Sequence, residues 1–429
     1  MEKQPKKQMV IATPYIEKRE GAVRLCSKLS LPESELILFY EVDDDYGNYL
    51  CDDRCDAFLV VALEYAMFYN LDITCEAPVS SRLLYQLDTF YIPTVSKNVF
   101  YAHNIKITSK TTDVEIENAR GVGTGFSGGV DSFYSVLKYL NTKDRYELTH
   151  LLIANVGALS FSDTELSKNI FEKYVEKYLN VIEDLALPLI KVHSNIQDLY
   201  RDCPRSNVKF ATALKTCSCV IALQKLFHIY YFASGVQFGD FFLDPTALGS
   251  YDLLNLQCIS LDKLTFYSSG AETTRIGKTK FIADNPIAQK NLSVCPIDTE
   301  KNCGRCSKCL RTVIQLYLTS NLEKFETSFD IEDFKKHKIL RFAMFLANKS
   351  AKIHGYRKAV VDISKESGVK IPKSSYILAF FLKPLLYSKD MLKDSVRARK
   401  LFYKFNVDAK FYGKEAALKS RKQKQHENY

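Results

Sequence analysis

Apolar and polar positions along the chain fall into two regimes, with a change near residue 119. Before it, the pattern predicts an α+β arrangement. ELILFYEV (35–42) reads as a strand rich in apolar side chains. DAFLVVALEYAMFYN (56–70) is apolar on every side and reads as a buried helix. SSRLLYQLDTFYIPTV (80–95) reads as a second helix that stops near Pro93. FYAHNIKITSK (100–110) and DVEIENAR (113–120) alternate as strands do.

From 119 onward, strands alternate with helices. GVGTGF (121–126), THLLIANV (149–156), LPLIKVHSNI (187–196), HIYYFASG (228–235) and KLTFYSSG (263–270) are the expected strands. Helices are expected over 132–140, 163–185 and 207–227, the second opening on a capping box of Ser162 and Glu165. Nearly continuous apolar strands alternating with helices predict an α/β fold, a doubly wound parallel sheet of five strands covered on both faces. Beyond 312, RTVIQLYLTSN, EDFKKHKILRFAMFLAN and SYILAFFLKPLLYS read as helices. The expected organisation is an α+β domain over 1–118, the α/β domain over 119–294, a cysteine-rich segment over 295–320, and a helical region with a basic tail over 321–429.

Composition narrows this picture. With 429 residues, 46% hydrophobic and 25% charged, the chain is ordinary globular material, not disordered, collagenous or disulfide-stapled. The best apolar run, 57–69, is too short to span a membrane and carries Glu64. The N-terminus MEKQPKKQMV lacks the apolar stretch of a secretory signal, so a cytoplasmic protein is expected. Its 12 cysteines then read as thiols or metal ligands. The net charge of +9 leaves a nucleic-acid partner open but is met by Lys-rich surfaces and the tail 413–429. The acidic run Glu41, Asp43, Asp44, Asp45 reads as a solvated loop rather than a cation site.

Two motifs carry chemistry. Phe126-Ser127-Gly128-Gly129-Val130-Asp131-Ser132 lies between an expected strand and an expected helix. Two glycines allow a tight turn and close approach to an anion. The helix start offers free N–H groups and a positive dipole end. Asp131 would hold Mg²⁺ or orient the loop. There is no Lys in the loop, so it is not a Walker A motif. Cys295, Cys303, Cys306 and Cys309 follow C-x7-C-x2-C-x2-C, a spacing that can wrap one Zn²⁺ in four thiolates. With every ligand a thiolate, the zinc would be structural; an iron–sulfur cluster is the alternative.

SGGVDS resembles the pyrophosphate loop of the N-type ATP pyrophosphatases. The resemblance implies an adenine nucleotide alpha hydrolase-like fold, ATP bound by Phe126–Ser132, and cleavage between the α- and β-phosphates. A substrate oxygen would form an adenylate, and a nitrogen or sulfur nucleophile would then displace AMP. The loop followed by the four cysteines is similar to 7-cyano-7-deazaguanine synthase, a ligase of this family. That likeness covers about residues 120–315. It implies a substrate loop over 235–254, with counterparts at Asp240 and Tyr251-Asp252, and a helix over 274–280 that carries Lys278. From the order of elements alone, Gln237, Asp240 and Asp252 fall on the carboxyl side of the sheet, and Glu272, Arg275, Lys278 and Lys280 follow the fifth strand, where a cation would offset charge growing on the phosphates. The family has no counterpart of residues 1–118 or of the C-terminal helices, and Tyr251-Asp252 is not followed by its Cys-Arg.

The favoured expectation is an enzyme, a ligase that uses ATP and Mg²⁺ to adenylate a small carboxylate, a deazaguanine-like acid above all, for attack by ammonia or an amine, with catalytic Asp131, Arg275 and Lys278. A tRNA-modifying thiolase or lysidine-type enzyme, and a nucleotide-binding scaffold holding a protein partner, are the alternatives. An oligomer is left open. Cys217 and Cys219 read as buried thiols, Cys203 as a more reactive loop cysteine, and His193 and His228 as packing residues.

Overall fold

The strands that alternate with helices from 119 onward pair in parallel. In the computed structural model they are β9 (Gly121–Gly125), β10 (His150–Asn155), β11 (Leu189–Ser194), β12 (Phe227–Ala233) and β13 (Thr265–Ser269). Their lateral order is β13-β12-β9-β10-β11, every neighbouring pair parallel. The order reverses between β9 and β12, the place where open α/β sheets leave a crevice at their carboxyl ends. The structure describes residues 7–156, 165–201, 203, 212–241, 243, 251–295, 301–348 and 355–394.

The sheet does not stop at β11. β4 (Glu35–Asp43) adds to it antiparallel, through His193↔Glu41 and Ser194↔Tyr40. The Asn195 side chain lengthens this seam: its Oδ1 accepts from Phe39 N at 3.0 Å and its Nδ2 donates to Ile37 O at 2.9 Å. Beyond β4 come β3 (Ala22–Ser30), β1 (Gln8–Ile11), β5 (Asp72–Cys75) and β7 (Ile107–Thr108), with β2 (Tyr15–Arg19) hairpinned on β3. β6 (Val79–Ser80) and β8 (Thr111–Thr112) make a separate small pair. The chain divides into two units, Met1–Asn291 and Leu292–Tyr429. The sequence boundary at 118/119 therefore falls inside one unit, and the sheet is mixed, with eleven strands among the described residues rather than five. The change of pattern there marks a change of strand sense within one sheet.

Helices cover both faces. On one, Asp56–Tyr69, Thr212–Ala222 and Asp252–Ile259 close a core that includes Tyr40, Phe58, Leu152, Val192, Cys219 and Tyr230. Each large side chain buried there contributes about 1.5–3 kcal/mol. Asp56–Tyr69 is buried nearly all round, as its composition predicts, and ends at Asn70 in the left-handed region with φ 54°. On the other face, Val130–Tyr139 and Glu165–Glu176 pack through Phe133 on Phe126 and Phe171 on His193.

Some expected elements differ. The 80–95 helix runs on to Asn98 through a π-helical turn at Leu87–Tyr91, with Pro93 in the first turn of the next segment, where no N–H is needed. Residues 113–120 are not a strand; Val114 is 70% exposed, so the alternation has no partner to pack on. The helix expected over 163–185 breaks after Glu176 and resumes at Leu179–Leu185. Ser162, residues 207–211 and the tail 413–429 lie outside the described residues.

The second unit is helical. It holds Ser307–Leu318, Ile331–Lys336, Lys338–Ala347, Tyr356–Ser367 and Lys373–Asp394. Phe325, Phe334 and Phe342 are buried in it. Asp330 caps one helix by accepting from Asp333 N at 2.8 Å, and Asp333 is ion-paired with the buried Arg341. No described helix in either unit is long and apolar enough to cross a membrane.

Candidate functional site

The loop after β9 begins with Phe126, whose N donates to Leu152 O at 2.9 Å and whose ring packs on Phe133 and Tyr178. This anchors the chain before it turns. Gly128 then adopts φ +66°, and a Cβ there would meet Tyr178 Cε1 at 2.4 Å. Both the conformation and the contact demand glycine. The Tyr178 hydroxyl donates to Ser127 O at 3.0 Å, fixing the bend from beneath. Gly129 is the N-cap of Val130–Tyr139 and offers no side-chain cap. The first-turn N–H groups are therefore available to an anion. Ser132 closes the loop from within: its hydroxyl donates to Gly129 O at 3.0 Å and accepts from Ser127 N at 3.3 Å.

Behind the loop lies a half-buried charge cluster. Asp131 is held by Arg275 on one carboxylate oxygen and by Lys278 on the other, the latter at 3.1 Å. Arg275 and Lys278 lie on the helix Arg275–Ile282, capped by Thr274 Oγ1, which accepts from Gly277 N at 3.0 Å. Lys278 is 2% exposed and also donates to Ser234 O at the end of β12. Gly270, φ +79°, makes room for it; a Cβ there would come within 2.6 Å of Lys278 Cε. Burial pushes the Asp131 carboxyl up, but Arg275 and Lys278 outweigh it and hold the group below the usual carboxylate range. Burial lowers Lys278. Arg275 Nε is buried without a partner among the described residues. One carboxylate against two cations leaves the cluster net positive beside the open N–H groups. With both its oxygens taken by cations, Asp131 orients the cluster rather than standing free for Mg²⁺.

Glu272 extends the network, accepting from Tyr134 Oη at 2.6 Å and pairing with Lys138. Burial raises its carboxyl, yet the hydrogen bonds from Lys138 and Tyr134 bring it down to about 2. A carboxyl depressed by folding adds stability that is complete above its unfolded value, about 4.5, and is lost as pH falls toward about 2. Glu272→Gln is therefore expected to lower the melting temperature near pH 7, to flatten its acid limb between those pH values, and to match wild type near pH 2. An unchanged acid limb would rule out this pairing.

The other predicted residues are scattered. Gln237 and Asp240 hydrogen-bond each other at 2.9 Å in a surface turn. Asp252 opens its helix on the opposite face, where burial pushes its carboxyl up to about 7. No hydrogen bond or ion pair among the described residues joins these three to Asp131. Cys203, Cys217 and Cys219 are all buried, and burial raises the thiols of Cys217 and Cys219. Glu41 is not in a solvated loop: it is 5% exposed within β4 and ion-paired with Arg24 and Lys168.

In the second unit, the Sγ atoms of Cys295, Cys303, Cys306 and Cys309 all lie within 4.8 Å of one another. Cys303 and Cys309 sulfurs are 3.9 Å apart. A tetrahedral zinc with bonds of about 2.3 Å has edges of about 3.8 Å, so the donor set fits such an ion. The amides of Cys306 and Cys309 donate to Cys303 Sγ and Cys306 Sγ, both at 3.4 Å, which favours thiolates. Hydrogen bonding from Cys309, then from nearby amides, brings Cys306 down to about 5 against its burial. Asn302 carries no signal of its role in the sequence. Its Oδ1 accepts from Val294 N at 2.8 Å and Cys295 N at 3.1 Å, while Nδ2 donates to Leu292 O at 2.7 Å and Ser328 O at 2.9 Å. This one buried amide ties Cys295 to the Cys303 turn.

These features define an α/β protein with a mostly parallel central sheet, a glycine-bearing loop at the reversal of strand order, and a separate four-thiol cluster able to hold a metal such as zinc. No protein-family model, no curated protein and no solved structure matches the chain.

Proposed function

We propose that Met1–Asn291 binds ATP through the Ser127–Ser132 loop and cleaves it between the α- and β-phosphates, adenylating a small carboxylate for attack by ammonia or an amine. The observation that carries this reading is the Gly128 bend at the strand-order reversal, backed by the Arg275–Asp131–Lys278 cluster. Open N–H groups would hold the phosphates. Arg275, with a donor to spare, and Lys278 would offset charge growing on the departing pyrophosphate. Asp131 keeps the two cations apart and aimed. The lateral order β13-β12-β9-β10-β11 is the one expected of a doubly wound pyrophosphatase domain and supports the reading. A bound Mg²⁺ would shield the triphosphate. The four-thiol cluster would hold zinc in a structural role, since four protein ligands leave no open position.

The test is release of AMP and pyrophosphate from Mg-ATP with candidate acids and ammonium. Gly128→Ala forces the loop from its left-handed turn and into Tyr178. It is expected to lower the rate about a hundredfold, the cost of misplacing reacting groups by roughly 1 Å. Equal rates for the two proteins would sink the assignment of the loop.

A further inference from the structure

A row of buried polar residues crosses four neighbouring strands beside this loop. Arg24 on β3 pairs in register with Glu41 on β4, Glu41 with His193 on β11, and His193 with Asn155 on β10. Registered partners share a face of a sheet, so the four side chains stand on one side. They are 6%, 5%, 4% and 1% exposed. Contacts run along the row. Arg24 Nε donates to Glu41 Oε2 at 2.6 Å, and its guanidinium lies 3.7 Å over the Phe39 ring. Phe39 packs on His193 with ring centroids 5.8 Å apart. Asn155 Nδ2 lies 3.1 Å from His193 Nδ1 and 3.3 Å from Ser167 Oγ. Charges buried in this way are costly unless paired, and apolar residues would fill the space more cheaply.

The row ends on an atom without a partner. Asn155 Oδ1 is buried and has no hydrogen bond among the described residues. In this orientation both Nδ2 hydrogens find acceptors, on His193 and Ser167. The flipped amide would instead bury two unsatisfied N–H groups, a worse arrangement. Asn155 is the last residue of β10, the carboxyl end, three residues past the Leu152 carbonyl that anchors the loop through Phe126 N. The helix Glu165–Glu176 joins the two places. Ser167 meets Asn155, Phe171 meets His193, and Tyr174 packs on Tyr178, which supports Ser127 and Gly128.

We propose that Asn155 Oδ1 accepts a hydrogen bond from an N–H group of a ligand bound at this end of the sheet, and that Arg24 and Glu41, supplied by the N-terminal strands, position it through Phe39 and His193. The assignment rests on the reading of the adjacent loop as a nucleotide site. Two ligands bring such a donor: the 6-amino group of the nucleotide, or the amine that attacks the activated acid. On either source, β3 and β4 are part of the functional unit, which gives the N-terminal region a role.

The test uses the full chain and two uncleavable nucleotides, α,β-methylene-ATP and the matching purine riboside analogue without the amino group. If the donor is the nucleotide's amino group, wild type prefers the first by about tenfold, the size of one hydrogen bond to a buried acceptor. Asn155→Leu then abolishes the preference, and Asn155→Asp, which keeps an acceptor, restores it. If the donor is the attacking amine, both nucleotides bind alike. Asn155→Leu then raises the methylamine concentration for half-maximal AMP formation about tenfold. Asn155→Ala replaces Asn155→Leu should the latter not fold. The proposal is overturned if the folded variant keeps both the nucleotide preference and the amine requirement of wild type. A wild type that binds neither nucleotide removes the nucleotide reading itself, and this assignment with it.

Discussion

Stripping the metal from the four thiols is expected to unfold the cysteine-bearing part of the second unit. Asn302, next to Cys303, accepts from Cys295 N at 3.1 Å, and residues 296–300 separate Cys295 from the other three in the chain. Without an ion, the thiols offer each other weak hydrogen bonds; with one, they close a tetrahedron. A structural zinc of this type contributes about 10–16 kcal/mol in small zinc-dependent folds, as much as the whole stability of a typical domain. The purified protein is expected to carry one metal equivalent per chain. After chelation, the amides of Ser307–Leu318 should lose their protection against hydrogen exchange while those of β9 to β12 keep theirs. Cys303→Ser should reproduce the effect. Metal-free protein with full protection over 307–318 would refute a structural role for the ion.

Lys278→Met is the second large effect. Methionine matches the length of the buried stem and leaves the ammonium out. Asp131 then retains Arg275 alone, and Ser234 O loses its donor. Breaking one side of a buried pair costs about 3–5 kcal/mol, and the low end applies because the Asp131 side chain is 26% exposed. Urea unfolding should show a loss of about 3 kcal/mol. If the proposed chemistry is right, AMP formation should also fall at least a hundredfold, the scale of losing one preorganised charge-stabilising group. Lys280→Met, an exposed neighbour on the same helix, is the control and should change neither quantity. A Lys278→Met protein as stable as wild type would contradict the buried ion-pair geometry.

Burial decided how much could be read in advance. β9 to β13 announce themselves because both faces are covered, so their sequences are almost unbroken apolar runs. β1 to β3 do not. Arg24, Ser27 and Lys28 interrupt β3, and the pairing that lets Arg24 sit inside, with Glu41 across the ladder, is invisible until the strands are aligned. The same blindness made Glu41 look like part of an acidic loop. The glycine-bearing loop was legible because its residue types have few other uses between a strand and a helix. Arg275 and Lys278 could be placed near it by chain order, but their common grip on Asp131 could not. Asn155 and Asn302 are single amides in apolar or cysteine-rich surroundings, and nothing in their neighbours marks them.

The seam between β4 and β11 also bears on how the protein is made. Ser194 and Phe39, which hydrogen-bond across it, are 155 residues apart in the chain. As the chain leaves the ribosome, the outer edge of β4 has no neighbour until β11 has emerged. At about 5–20 residues per second that interval lasts roughly 8–30 s. Through it, a nascent chain displays an open edge able to pair with its own kind, so crowded polysomes and fast initiation should penalise yield, and slower translation or a holdase should recover it.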